Sequence, residues 1–135
     1  MEVPMNRMNE NQIGTMIVDQ AVRLHQALGP GLLERVYEAV LARRLEQCGL
    51  VVARQQPIAI EFEGEYFDEG FRADLIVNRL VVIELKSVEQ VTPVHTKQLL
   101  TYLRLTGLKV GYLLNFGDAL MKDGIRRIIN GTLEA

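Results

Sequence analysis

Residues 71–77 and 80–85 are two apolar runs separated only by Asn78-Arg79, and this pairing constrains the fold more than any other stretch of the chain. A two-residue connection is the length that tight antiparallel hairpins use, so the runs are predicted to pair. Their apolar content marks them as central strands of a sheet.

The rest of the chain fits around that hairpin. After Ile13, the residues Ile17, Val18, Ala21, Leu24 and Leu28 recur at three- and four-residue steps, one face of a helix that Gly29-Pro30-Gly31 stops. Leu33, Val36, Tyr37, Val40, Leu41 and Leu45 predict a second helix, with Gly49 after Cys48 in the position of a C-terminal cap. Runs 50–54 and 58–62 predict two short strands separated by Gln55-Gln56-Pro57 and closed by a Glu63-Gly64-Glu65 turn. Thr92-Pro93 opens a helix through Leu99, Leu100, Leu103 and Leu105 to Gly107, and residues 110–115 predict a further strand. Segment 124–133 fits either a strand or a short helix. The order gives an α/β fold, a mixed β-sheet flanked by helices, in a single domain over residues 13–135. The polar, Asn-rich residues 1–12 are expected to form a flexible lead-in.

A chain of 135 residues buries about two thirds of the surface it exposes when unfolded, so it needs neither disulfides nor a structural metal. Cys48 is the one cysteine, which excludes an internal disulfide framework and cysteine-cluster metal sites and fits a reducing compartment, the cytoplasm. No apolar run approaches the roughly 20 residues of a membrane span, so no membrane partner is expected. Fifteen basic against seventeen acidic side chains give a net charge of −2, which argues against coating nucleic acid by bulk charge. Residues 1–67 carry −3 and residues 68–135 carry +1, with Lys97, Arg104, Lys109, Lys122, Arg126 and Arg127 toward the end. A polyanion would meet this second half.

The chemistry concentrates in Arg72-Ala73-Asp74-Leu75 and Val82-Ile83-Glu84-Leu85-Lys86. Two acids and a lysine lie in the most apolar strands, where a charge is costly unless it is paired or holds a metal. In a hairpin centred on Asn78-Arg79, Asp74 and Glu84 fall near opposite positions, and Glu84 and Lys86, two apart, share a face. Two carboxylates suit a hard divalent cation, and an adjacent ammonium can orient a water or stabilise charge on a phosphate under attack. The same spacing also fits a cross-strand Asp–Lys or Glu–Lys pair at a sheet edge. Arg72, on the Asp74 face, either binds phosphate or neutralises that acid.

Further motifs accompany this set: Leu24-His25-Gln26-Ala27-Leu28-Gly29-Pro30-Gly31, then Gly31-Leu32-Leu33-Glu34-Arg35-Val36-Tyr37, Thr92-Pro93-Val94-His95, Gln98-Leu99-Leu100-Thr101-Tyr102 and Asn115-Phe116-Gly117. In their order and spacing the chain resembles the PD-(D/E)XK nuclease superfamily, and more closely the small bacterial proteins named for the motif GxxExxY, over about Ile13 to Asn130. The resemblance implies a restriction-endonuclease-like αβββαβ core. It also implies that Asp74 and Glu84 hold Mg²⁺ or Mn²⁺ with the Leu85 carbonyl as a further ligand, that Lys86 assists the attacking water, and that Glu34 completes the site. From residues alone Glu34, which shares a helix face with Tyr37 and Glu38, reads rather as an exposed acid favoured by the helix dipole in a first turn. Gln98 and Tyr102, one helical turn apart, look like a Gln-xxx-Tyr pair that contacts substrate or braces the site, or else form the polar edge of an amphipathic helix. His25 fits a satisfied core histidine; the resemblance adds a bond behind the site to Glu34 or Tyr37.

The function expected from this resemblance is a Mg²⁺-dependent nuclease hydrolysing phosphodiester bonds of nucleic acid, DNA foremost, with a homodimer left open. The rival is a non-catalytic nuclease-fold module in a nucleic-acid processing or defence assembly, and a third reading is a small-molecule hydrolase on the same core.

Overall fold

The computed structural model describes residues 8–133. Helix α1, Glu10–Leu28, starts earlier than its apolar stripe predicts, because Asn9 and Gln12 form a capping box. The Asn9 side chain accepts the Gln12 amide at 2.8 Å and the Gln12 side chain accepts the Asn9 amide at 2.9 Å. The polar residues 9–12 are thus a helix start rather than part of a flexible lead-in, while residues 1–7 lie outside the described residues.

Helix α2 is Glu34–Gln47, followed by strands β1, Val52–Phe62, β2, Glu65–Val77, and β3, Val81–Lys86. Helix α3, Pro93–Thr106, leads to β4, Val110–Asn115; a 3₁₀ turn, Met121–Gly124, then precedes β5, Ile125–Ile129. The strand alternative for the last segment is the one adopted. The sheet runs β1-β2-β3-β4-β5 in sequence order. Only β3 and β4 are parallel, and α3 is the crossover such a pair requires.

Alternation along the central strands divides the core. Leu75, Val77, Val81, Ile83 and Leu85 face α1 and α2, which bury Ile13, Ile17, Tyr37, Leu41 and Leu45 against them. Ile76, Val82 and Leu113 belong to a second cluster with Leu99 and Leu103 of α3.

Two details differ from the sequence expectation. Runs 50–54 and 58–62 are one strand, β1, not two. As an edge strand it tolerates Pro57, and its irregularity is confined to a left-handed Gln55 and a register shift between Ile58 and Ile60. The central hairpin closes on the rung Val77–Val81, with Leu80 donating to the Val77 carbonyl at 3.0 Å, so three residues rather than two form its turn. Among the described residues no helix is long and apolar enough to cross a membrane.

Candidate active site

The β2–β3 ladder ends at Leu75–Ile83, one step before Asp74 and Glu84 would pair. Beyond that rung, side chains replace the missing ladder. Asp74 Oδ2 accepts the Leu85 amide at 2.9 Å, and the Asp74 amide donates to Glu84 Oε1 at 3.3 Å. Each carboxylate therefore sits in the gap where the strands part. Alternation from Ile76 and Val82 places both on the α3 side of the sheet. The Leu85 carbonyl shares a strand edge with its amide and opens on the same gap.

Burial, and then the charge of Asp74, push the Glu84 carboxyl up to about 8, while the Lys86 ammonium on the same strand face pulls it down. Lys86 is half-buried and no ion pair engages it among the described residues. The cross-strand pair that the spacing also allowed is not formed.

A cleft of about 330 Å³ adjoins the gap, lined by Glu34, Arg35, Glu38, Gln55, Asp74 and Leu85. Glu34 is exposed in the first turn of α2. Among the described residues no three His, Cys, Asp or Glu side chains gather as a metal-holding group; Glu34 lines the cleft that Asp74 also lines. Helix α2 packs its apolar face against Leu75, Ile83 and Leu85, and its first turn carries Glu34 to the edge of the cleft that Asp74 also lines. The remaining donors, two carboxylates and a backbone carbonyl, fit a hard cation that takes oxygen ligands and fills its other positions with water. The raised Glu84 pKa adds to that fit, since the pair lacks enough positive charge to ionise fully.

Helix α3 brings Tyr102 to the same side. Its ring stacks on Phe71 with centroids 3.6 Å apart, and burial, then Glu84 and Asp74, raise its pKa. Gln98, one turn earlier, is exposed. Arg72 does not pair with Asp74; its guanidinium donates to the Gln55 carbonyl at 3.3 Å.

The residues expected behind the site have other partners. Tyr37 is fully buried, its hydroxyl donating to the Gly29 carbonyl and accepting the Leu32 amide at 3.1 Å, so it closes the turn between α1 and α2. His25 donates from Nε2 to the Asp118 carbonyl at 2.8 Å, and neither ring bonds Glu34. Both rings border Phe116, on which Tyr37 stacks at 4.3 Å and from which the tilted His25 ring lies 6.2 Å away. Asn115 is fully buried, accepting the Val88 amide at 3.0 Å and donating to the Val88 carbonyl at 2.9 Å, which fixes the chain leaving Lys86.

Gly117 belongs to that clamp. A Cβ there would stand 2.2 Å from the Val88 carbonyl oxygen, a contact no backbone can accept without moving. Gly117→Ala is therefore expected to cost about 1–3 kcal/mol, as overpacking does, read as a lowered urea midpoint with unchanged slope. An unchanged midpoint would show that the loop yields freely.

Sequence reasoning passed over Glu38, Gln55 and Phe71 as site residues. Glu38 is 6% exposed and ion-paired with Arg54 at 3.1 Å. Its signal was present, an acid beside Tyr37 on the face that also carries Leu41 and Leu45. Gln55 was hidden by reading residues 55–57 as a break between strands.

A model of the PD-(D/E)XK nuclease superfamily matches residues 11–128. No curated protein and no solved structure gives a significant match. The matched span takes in the β2–β3 hairpin with Asp74, Glu84 and Lys86, the helices on both faces and all five strands up to Ile128. A mixed five-stranded sheet flanked by helices is a restriction-endonuclease-like α/β fold, and with most of its length matched the chain belongs to the PD-(D/E)XK nuclease superfamily.

Proposed function

We propose that the chain is a Mg²⁺-dependent nuclease, active also with Mn²⁺, that hydrolyses phosphodiester bonds of DNA, and that within its superfamily it groups with the GxxExxY proteins through Gly31, Glu34 and Tyr37. The observation that carries this reading is the meeting of Asp74 and Glu84 where β2 and β3 part, with the Lys86 ammonium on the same strand face and in no ion pair among the described residues. Asp74, Glu84 and the Leu85 carbonyl would hold the cation. When bound, a divalent cation polarises a phosphoryl oxygen and lowers the pKa of a water at the site. Lys86 orients the attacking water and stabilises charge on the phosphate during inline attack. Gln98 and Tyr102 on α3, with Arg72 at the cleft edge, contact the nucleic acid.

Glu34 acts at the rim, adding negative potential rather than a ligand. An exposed charge of this kind contributes about 0.2–1 kcal/mol, so Glu34→Gln is expected to weaken Mg²⁺ binding a few-fold and to leave the melting temperature unchanged. Calorimetric titration with equal affinities would return Glu34 to a helix-dipole role.

The deciding experiment measures cleavage of linear, nicked, branched and single-stranded DNA, and of RNA, with Mg²⁺, Mn²⁺ or chelator. Metal-dependent cleavage of DNA is expected. Inactivity on every substrate, in a protein that still binds nucleic acid, would favour the non-catalytic module.

A further inference from the structure

Gln55 faces Asp74 in the β1–β2 register, between the rungs Arg54–Leu75 and Gln56–Ala73, yet no rung forms there. Its φ is 50°, the left-handed region, where a residue bearing a Cβ is strained. Such a conformation persists where the surroundings over-determine it. Here the side-chain Nε2 donates to Glu38 Oε1 at 2.6 Å and to Asp74 Oδ1 at 3.1 Å, and the backbone carbonyl accepts Arg72 Nη1 at 3.3 Å. A primary amide has two N–H donors, and both go to carboxylates, one on α2 and one on β2. Glu38 in turn is anchored through Oε2 by Arg54 Nε and Nη2 at 3.2 and 3.1 Å.

Asp74 Oδ2 is already fixed by the Leu85 amide, so Gln55 fixes the other oxygen. Every rotation of the Asp74 carboxylate would break one of these bonds. We propose that Gln55 is a positioning residue of the cation site, holding Asp74 in its orientation toward the gap shared with Glu84 and tying it through Glu38 to α2; this rests on the metal-dependent reading of Asp74 and Glu84. A neutral amide suits the task because it donates to both carboxylates without adding charge. A lysine at the same place would satisfy them equally but would repel a cation.

Glycine adopts a φ of 50° freely, so Gln55→Gly removes the tether while preserving the backbone path. The expected result is a melting temperature close to that of the wild type and a Mg²⁺ affinity, by calorimetry, reduced about 10-fold or more, the usual effect of losing a group that orients a ligand. Gln55→Lys, which restores donors to Glu38 and Asp74, is expected to fold and to bind Mg²⁺ more weakly still. The glycine variant, folded and binding Mg²⁺ as tightly as the wild type, overturns the positioning role and leaves the metal reading standing. If the glycine variant does not fold, Gln55→Asn decides by the same titration, since asparagine tolerates a left-handed φ and its shorter amide cannot span both carboxylates: affinity reduced about 10-fold supports the positioning role, and wild-type affinity overturns it. A wild-type chain that takes up no Mg²⁺ overturns the metal reading itself, and the role of Gln55 falls with it.

Discussion

Replacing Lys86 by alanine is expected to lower turnover about 100-fold or more while leaving Mg²⁺ affinity within a few-fold of the wild type. The two effects separate because the side chain and the strand are held by different things. The Lys86 carbonyl accepts the Phe116 amide at 2.8 Å and the residue pairs with Asn115 of β4, so truncation leaves β3 in place. Asp74, Glu84 and the Leu85 carbonyl keep their positions, and only the ammonium is lost. Lys86→Arg keeps the charge but replaces a compact point donor by a planar fork, and should recover part of the activity. Cleavage rates at saturating Mg²⁺, set beside calorimetric titrations of the same samples, measure both quantities. Equal turnover in Lys86→Ala and wild type would remove Lys86 from the chemistry. A wild-type chain inactive on all nucleic acids, binding them as well with alanine at position 86, would point to a binding module instead.

The hairpin around Asn78-Arg79 was readable because two apolar runs joined by a short connection pair with each other, and a period of two puts Glu84 and Lys86 on one face. That Asp74 shares their face depends on the three-residue turn: a two-residue turn would pair Asp74 with Ile83 and send Glu84 to the opposite face, whereas the rung Leu75–Ile83 sets Asp74 across from Glu84. What periodicity cannot convey is where two strands separate. The gap beyond Leu75–Ile83 turns two cross-strand neighbours into groups that replace a backbone ladder with side-chain bonds. Glu34 is hard to place from sequence for a related reason. Helical spacing identifies a residue's face on its own helix, not how that helix sits on the sheet, and it is the packing of α2 that puts its first turn on the cleft beside Asp74. Gln55 escaped because glutamine before Gln-Pro resembles a loop, whereas the chain continues as an edge strand through a single left-handed residue. The motif tyrosine, Tyr37, was visible as a core residue, but its hydroxyl bonds to a turn five and eight residues upstream depend on a loop geometry that spacing does not encode.

Glu84→Gln should make the metal-free protein more stable and the enzyme inactive, and the stability gain should depend on pH. In the fold the Glu84 carboxyl titrates at about 8, against 4.5 for the unperturbed group, because burial and the Asp74 charge disfavour its ionised form. Below 4.5 the proton is bound in both folded and unfolded chains, and the residue imposes no penalty. Between 4.5 and about 8 the unfolded chain releases that proton while the folded one retains it, so stability falls steadily as pH rises. Above that range both states are ionised and the loss is complete. Glutamine copies the neutral form at every pH, so the variant's advantage in urea midpoint should be small at pH 5 and greatest near pH 8. A divalent cation reverses the order, because its binding draws the proton from Glu84: the wild type should be stabilised by Mg²⁺ more strongly at pH 8 than at pH 6, and the variant only weakly at either. Loss of one of two carboxylate ligands should also abolish cleavage at all Mg²⁺ concentrations tested. Parallel pH curves for the two proteins would mean that Glu84 is ionised in the metal-free fold, and a wild-type midpoint indifferent to Mg²⁺ would detach this carboxylate from any cation.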